Sequence, residues 1–172
     1  SEEHYQWGTL MCNFMITSSH FYKDNSYAIW IDGKTFSGQR IDSVTNLLVT
    51  NCGIYANVHL YDLYGANCFK NCIFEGRLNQ IDCNLADGAL VFEQCYFEYQ
   101  KKECTNRFTS ENGRATFSFE GCYNTSNNVN TFFEFDKCTI TNYDFNVNPQ
   151  AILRGKTVVK TKDLSAAYFG LN

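Results

Sequence analysis

Apolar residues recur along this chain in short segments that share one register around a cysteine. The segments are Val49-Thr-Asn-Cys52-Gly-Ile54, Phe69-Lys-Asn-Cys72-Ile-Phe74, Phe92-Glu-Gln-Cys95-Tyr-Phe97, Phe119-Glu-Gly-Cys122-Tyr-Asn124 and Phe135-Asp-Lys-Cys138-Thr-Ile140. An apolar residue stands three before each Cys and another two after it, except at Asn124. The same parity runs back to Leu47, Leu90, Phe117 and Phe133, with Asn67 as the exception. Alternate residues of a strand face one way, so each half of a segment presents an apolar face. The odd interval before the Cys requires a two-residue bend if both halves are to face one core. Its second residue is Asn51, Asn71, Gln94, Gly121 or Lys137, and Asn and Gly enter the left-handed backbone region at low cost.

The cysteines are spaced by 20, 23, 27 and 16 residues, the period of a solenoid whose length variation lies in loops. A third strand per turn is supplied by Val58-His-Leu60 and by Ile81-Asp-Cys83-Asn-Leu85. The polar stretch Gln100 to Arg114 reads as loop, and little room remains for a third strand after Asn124. A leucine-rich repeat would show Leu spacing and an Asn ladder, and a β-sandwich would lack a common register around one residue type. The expected fold is all-β: a right-handed, single-stranded parallel β-helix with a C-terminal β cap. Residues 1–45 read as irregular N-terminal coils, among them the strands Leu10 to Ile16 and Tyr27 to Asp32. Residues 46–142 read as regular coils. Residues 143–172 read as a cap or oligomerisation segment, with two short strands turning near Gly155; a solenoid end exposes core and strand edges that need such cover.

At 172 residues, one domain can bury a core without staples. The nine cysteines are an odd number, and five share one core position, so they read as free thiols packed as small apolar groups. A net charge of −4 without a basic run gives no footprint for nucleic acid, and no apolar stretch is long enough for a membrane-spanning helix. The start at Ser1-Glu2-Glu3-His4 reads as a cut within something longer.

Stacking turns each repeat position into a surface column. Two before the Cys come Thr50, Lys70, Glu93, Glu120 and Asp136, where three carboxylates would repel unless solvated or held by a cation or sugar hydroxyls. One after come Gly53, Ile73, Tyr96, Tyr123 and Thr139; three after come Tyr55, Glu75, Glu98, Thr125 and Thr141. Rings beside carboxylates suit a sugar's apolar face and its hydroxyls, so Tyr55, Ile73, Tyr96 and Tyr123 are candidates for glycan binding or, equally, for a subunit interface. Glycoside hydrolysis needs two carboxylates about 5 to 9.5 Å apart; Glu75 with Glu98, or Asp62 with Asp82, are weak candidates. His4, His20 and His59 form no dyad by sequence, Cys68 and Cys72 fall on opposite strand faces, and no metal or cofactor motif is present.

The segments around Cys72 and Cys95 resemble coils of the pectate-lyase-like β-helix superfamily, and most of all those of bacteriophage tail spikes and appendages. The resemblance covers roughly 46 to 141 and carries no catalytic residue across. It implies a host-glycan-binding domain, commonly a homotrimer, folded in the reducing host cytoplasm and resident on the virion tail. It leaves a polysaccharide depolymerase, a hydrolase or lyase, and a structural spacer of a trimeric spike as alternatives.

Overall fold

The structure, a computed structural model, describes residues 10–11, 14–32, 35–36, 39–40, 43–44, 46–75, 78–98, 100–124, 131–145, 149–160 and 169–171. Their strands wind into a parallel β-solenoid with three faces. The first face is a seven-stranded sheet of Met15–Thr17, Leu48–Thr50, Ala66–Lys70, Ala89–Glu93, Thr116–Cys122, Thr139–Phe145 and Val158–Lys160. The second is narrow: 20–22 pairs with 53–55, then Ile73–Phe74 and Tyr96–Phe97 follow, ending in a bridge from Tyr96 to Tyr123. The third joins 27–32 and 57–63 to Ile81–Leu85, Asn106–Ser110, Phe132–Asp136, Gln150–Arg154 and Phe169–Leu171. The strands His20–Asp32 and Gly53–Leu63 each run through the second and third faces.

Inward columns explain the periodicity. Val49, Phe69, Phe92 and Phe119 are fully buried on the first face; Ile54, Phe74 and Phe97 line the second, and Leu60, Cys83, Phe108 and Phe135 the third. The phenyl rings stack from coil to coil, Phe69 on Phe92 at 5.3 Å and Phe92 on Phe119 at 5.1 Å, with interplanar angles of 10° and 3°. Burying each ring contributes about 1.5–3 kcal/mol, and stacking about 0.5–1.5 more. Asn67, the exception in its column, bridges three coils: its Oδ1 accepts from Leu47 N at 2.9 Å, and its Nδ2 donates to the carbonyls of Tyr64 and Ala89. That meets the requirement that a buried amide be hydrogen-bonded.

Every bend residue read from the sequence is left-handed: Asn51, Asn71, Gln94, Gly121 and Lys137 have φ between 50° and 57°. At four of them the backbone N–H donates to the next coil: Asn51 N to Lys70 O, Asn71 N to Glu93 O, Gln94 N to Glu120 O and Lys137 N to Arg154 O. The thiol that follows the turn lies beside two carbonyls. Cys95 Sγ lies 3.3 Å from Phe69 O and 3.4 Å from Glu93 O, and Cys72 and Cys122 repeat the pattern. A cysteine therefore fills a small core volume and adds a weak donor beside carbonyls of which Lys70 O, Glu93 O and Glu120 O already accept a backbone N–H. The eight described cysteines are free, and Cys12 lies outside the described residues.

The fifth segment departs from the expected register. Phe135 pairs with Phe108 and Leu153 on the third face, so Cys138 occupies the corner leading into the first face, not the column of Cys52, Cys72, Cys95 and Cys122. The partner of Cys122 in the next coil is Phe145, which removes the anomalous interval of 16. A strand, a left-handed residue and a thiol make the same local corner wherever the chain turns, so the motif reports corner geometry and not which corner. Two expectations change with it. Asn106–Ser110, inside the stretch read as loop, is a third-face strand that buries Phe108, and Phe132–Asp136 supplies the third strand for which little room was expected. The turn at Gly155, with φ of 59°, is present, but Gln150–Arg154 and Val158–Lys160 extend the third and first faces in parallel, as a further coil.

Candidate functional site

Outward positions of the second face form two adjoining columns. One holds His20, Gly53, Ile73, Tyr96 and Tyr123, the other Tyr22, Tyr55, Glu75 and Glu98. The rings are in contact: Tyr55 stacks on His20 at 4.6 Å, Tyr22 leans on Tyr55 at 5.8 Å, and Tyr96 meets Tyr123 at 5.2 Å. Ile73 and Tyr123 are exposed. The Tyr96 hydroxyl donates to Glu98 Oε2 at 2.6 Å, a short charge-assisted bond that fixes both groups. Burial and then the carboxylates of Glu75 and Glu98 push the Tyr55 hydroxyl above its ordinary range. Glu75 and Glu98 occupy equivalent positions on successive coils, which neighbouring strands hold about 4.8 Å apart at the backbone. Side chains able to stack on a ring and accept hydroxyl protons thus stand together on one strip.

Asp62 and Asp82 are not brought together. Asp62 is a left-handed bulge residue with φ of 60°, skipped in the pairing that sets Tyr61 opposite Asn84 and Leu63 opposite Leu85; Asp82 stands opposite His59. The column two before the Cys changes too. Asp136 belongs to the third face, and Glu93 and Glu120 find partners in Lys70 at 3.8 Å and Asn142 at 3.0 Å. On the first face a groove of about 290 Å³ near the N-terminal coils is lined by Phe14, Met15, Leu48, Ala66 and Cys68, with Asn46 the polar side chain on it. Burial, and then nearby Glu93, pushes the Cys68 thiol up to about 11. Among the described residues, no three His, Cys, Asp or Glu side chains gather as a metal would require, and no helix is long and apolar enough to cross a membrane.

A second cluster was not anticipated. On the third face Ile29, Ile31, Val58, Leu60, Ile81 and Cys83 point inward, and the residues between them point out as the columns Trp30, His59, Asp82 and Asp32, Tyr61, Asn84. His59 is sandwiched, 4.0 Å from Trp30 and 4.0 Å from Tyr61 between ring centres, with both rings near parallel to it. The Tyr61 hydroxyl donates to Asp82 Oδ2 at 3.1 Å, and burial with that carboxylate pushes it up to about 12. The alternation was legible in Ile29-Trp30-Ile31-Asp32 and Val58-His59-Leu60-Tyr61; only alignment of the third strands with one another was needed to see the columns.

The chain matches no protein-family model, no curated protein and no solved structure among known proteins.

Proposed function

We propose that this chain is a glycan-binding β-solenoid of the bacteriophage tail-spike kind, a homotrimer carried on the virion tail that attaches to host surface polysaccharide. The observation that carries the reading is the second-face strip, where Tyr55, Ile73, Tyr96 and Tyr123 adjoin Glu75 and Glu98. Rings fixed by stacking and by a 2.6 Å hydroxyl–carboxylate bond lose little freedom when a sugar settles on them. The free core thiols suit folding in a reducing compartment. A trimer would place three strips on one particle, and multivalency raises avidity by about 10²–10⁴.

The test is equilibrium binding of the purified chain to host surface polysaccharide, with Tyr96→Ala and Tyr123→Ala beside it. Binding weakened about tenfold or more by either change supports the strip. Unchanged host attachment by both variants refutes it and favours a structural spacer. Shortening of the polysaccharide during incubation would turn the reading towards a depolymerase. Sedimentation tests the assembly separately, since a stable monomer at micromolar concentration contradicts the trimer.

A further inference from the structure

The corner that leads from the third face into the first carries the one Asn-Gly pair in the sequence, Asn112-Gly113. It joins the strands Asn106–Ser110 and Thr116–Cys122, and residues 111–114 are all exposed. Asn112 Oδ1 accepts from Arg114 N at 3.0 Å and from Ser110 Oγ at 3.2 Å. Two donors thus draw electron density from the side-chain carbonyl, while the Nδ2 group has no hydrogen bond among the described residues to hold it. Gly113 has φ of 78° and room around it, since an added Cβ would meet no atom closer than the Lys137 carbonyl oxygen at 3.6 Å. Its N–H donates to Ser110 O at 3.1 Å, the bond that must open before this nitrogen can turn towards the Asn112 side chain. Asp87-Gly88 sits at the same corner one coil earlier and lacks these properties. Its carboxylate pairs with Arg114 at 3.4 Å and accepts from Gly88 N at 2.7 Å, and Gly88 is wedged against the Gly65 backbone. A carboxylate is also a far poorer electrophile than a carboxamide.

We infer that Asn112 is a site of spontaneous covalent modification, where the folded chain slowly converts its own carboxamide into aspartate and isoaspartate. The Gly113 nitrogen, unhindered by a side chain, gives up its proton to solvent and attacks Asn112 Cγ. The new N–Cγ bond forms, the Cγ–Nδ2 bond breaks, and the amide nitrogen takes a proton and leaves as ammonia. Water then opens the cyclic imide at either carbonyl, giving an aspartyl or an isoaspartyl residue. Nothing is oxidised or reduced, and water is the co-reactant. The two products differ in consequence. Asn112 Oδ1 holds the hydroxyl of Ser110, and that oxygen accepts from the N–H of buried Ala115 at 3.0 Å. An aspartate keeps an oxygen in that place. Isoaspartate routes the backbone through the side chain and adds a methylene to the turn, so the oxygen moves and the corner loosens. The change is one-way, and it does not depend on the second-face strip.

The experiment incubates the whole folded chain at neutral pH beside a urea-denatured sample, reading released ammonia, peptide masses and isoaspartate by enzymatic methyl transfer. Isoaspartate is expected at Asn112 of the folded chain at a rate within about tenfold of the denatured chain's, and at Asp87 about tenfold more slowly or less. Gly113→Ala should slow the conversion about tenfold, because a Cβ hinders the attacking nitrogen. Aged protein enriched in isoaspartate should unfold at a lower urea midpoint than fresh protein, while Asn112→Asp keeps the fresh midpoint. A folded chain left unconverted at Asn112 while the denatured chain is converted overturns the inference without recourse to any variant. Equal conversion at Asp87 also overturns it, since the reactivity would then owe nothing to this turn. An aged midpoint equal to the fresh one overturns the part given to the Asn112 oxygen at the corner.

Discussion

Two glycines with positive φ predict different costs for the same added methyl group. Gly88, with φ of 85°, stands just before the first-face strand Ala89–Glu93, against Gly65 of the preceding coil. A Cβ there would overlap the Gly65 carbonyl oxygen and stand 2.8 Å from Gly65 N, both backbone atoms that no side-chain rotation can move away. The Gly65 carbonyl also accepts from Ala89 N at 2.8 Å. Gly121, with φ of 57°, would place its Cβ 3.6 Å from the flexible Gln94 Cγ, an ordinary contact. The left-handed conformation costs alanine about 1–2 kcal/mol at either site, and the stiffer unfolded chain returns about 0.4–1. Gly121→Ala is therefore expected to lose about 0.5–1.5 kcal/mol. At Gly88 the backbone must separate as well, weakening the Ala89–Gly65 hydrogen bond for about 0.5–1.5 kcal/mol more, so Gly88→Ala should lose about 1–3. Urea unfolding followed by circular dichroism measures both, as a fall in midpoint at unchanged slope. Equal losses for the two variants would refute the tight stacking of Gly88 on Gly65.

Further predictions come from the buried polar groups. Asn106 Oδ1 accepts from Ile81 N and Gln100 Nε2, and its Nδ2 donates to Gln100 Oε1; Asn106→Leu strands these partners, so a loss of about 1–3 kcal/mol is expected in the same assay, and a neutral result would contradict the network. Burial pushes Cys138 up to about 12 and, with Glu93, Cys68 to about 11, so iodoacetamide at pH 8 should label these thiols slowly in the native protein and rapidly in denaturant; fast native labelling would show the coils open. Burial and Asp82 raise Tyr61 from 10 to about 12. Between those values the unfolded chain has lost a proton that the folded one keeps, so stability falls as pH rises from 10 to 12, and Tyr61→Phe should flatten the decline in urea midpoint. A decline identical in the variant would assign the effect to other groups.

Local geometry was far more legible in the sequence than coil register. The left-handed corners follow from Asn51, Asn71, Gln94, Gly121 and Lys137 because an odd interval between apolar residues admits few other solutions. Register was less visible. A corner leading from the first face to the second and one leading from the third to the first use the same motif, so Cys138 could not be told from Cys122 by spacing. Asn106–Ser110 was hidden by its composition: Asn106 and Ser110 are buried polar residues satisfied by Ile81 N and Gln100, and by Ala115 N, so the strand shows Phe108 as its one large apolar side chain. The Cys register yields Tyr55, Ile73, Glu75, Tyr96, Glu98 and Tyr123 of the second-face columns, but it adds Thr139 and Thr141, which stand on the first face, and omits His20 and Tyr22. The third-face stack was missed because its strands carry no shared marker residue, and Trp30 meets His59 only once two bulged strands are paired.

All of the functional reasoning stands on which residues share a coil position, and scalar couplings transmitted across backbone hydrogen bonds measure that directly in solution. The predicted set includes Tyr96 N to Cys72 O, Gln94 N to Glu120 O and Val158 N to Cys138 O, whose heavy atoms lie 2.8–2.9 Å apart. Observing these couplings, with Thr139 N bonded to Ala115 O, would place Tyr55, Glu75, Glu98 and Tyr123 side by side and Cys138 at its own corner. A coupling from Thr139 N to Cys122 O instead would stack Cys138 on Cys122 and contradict the account.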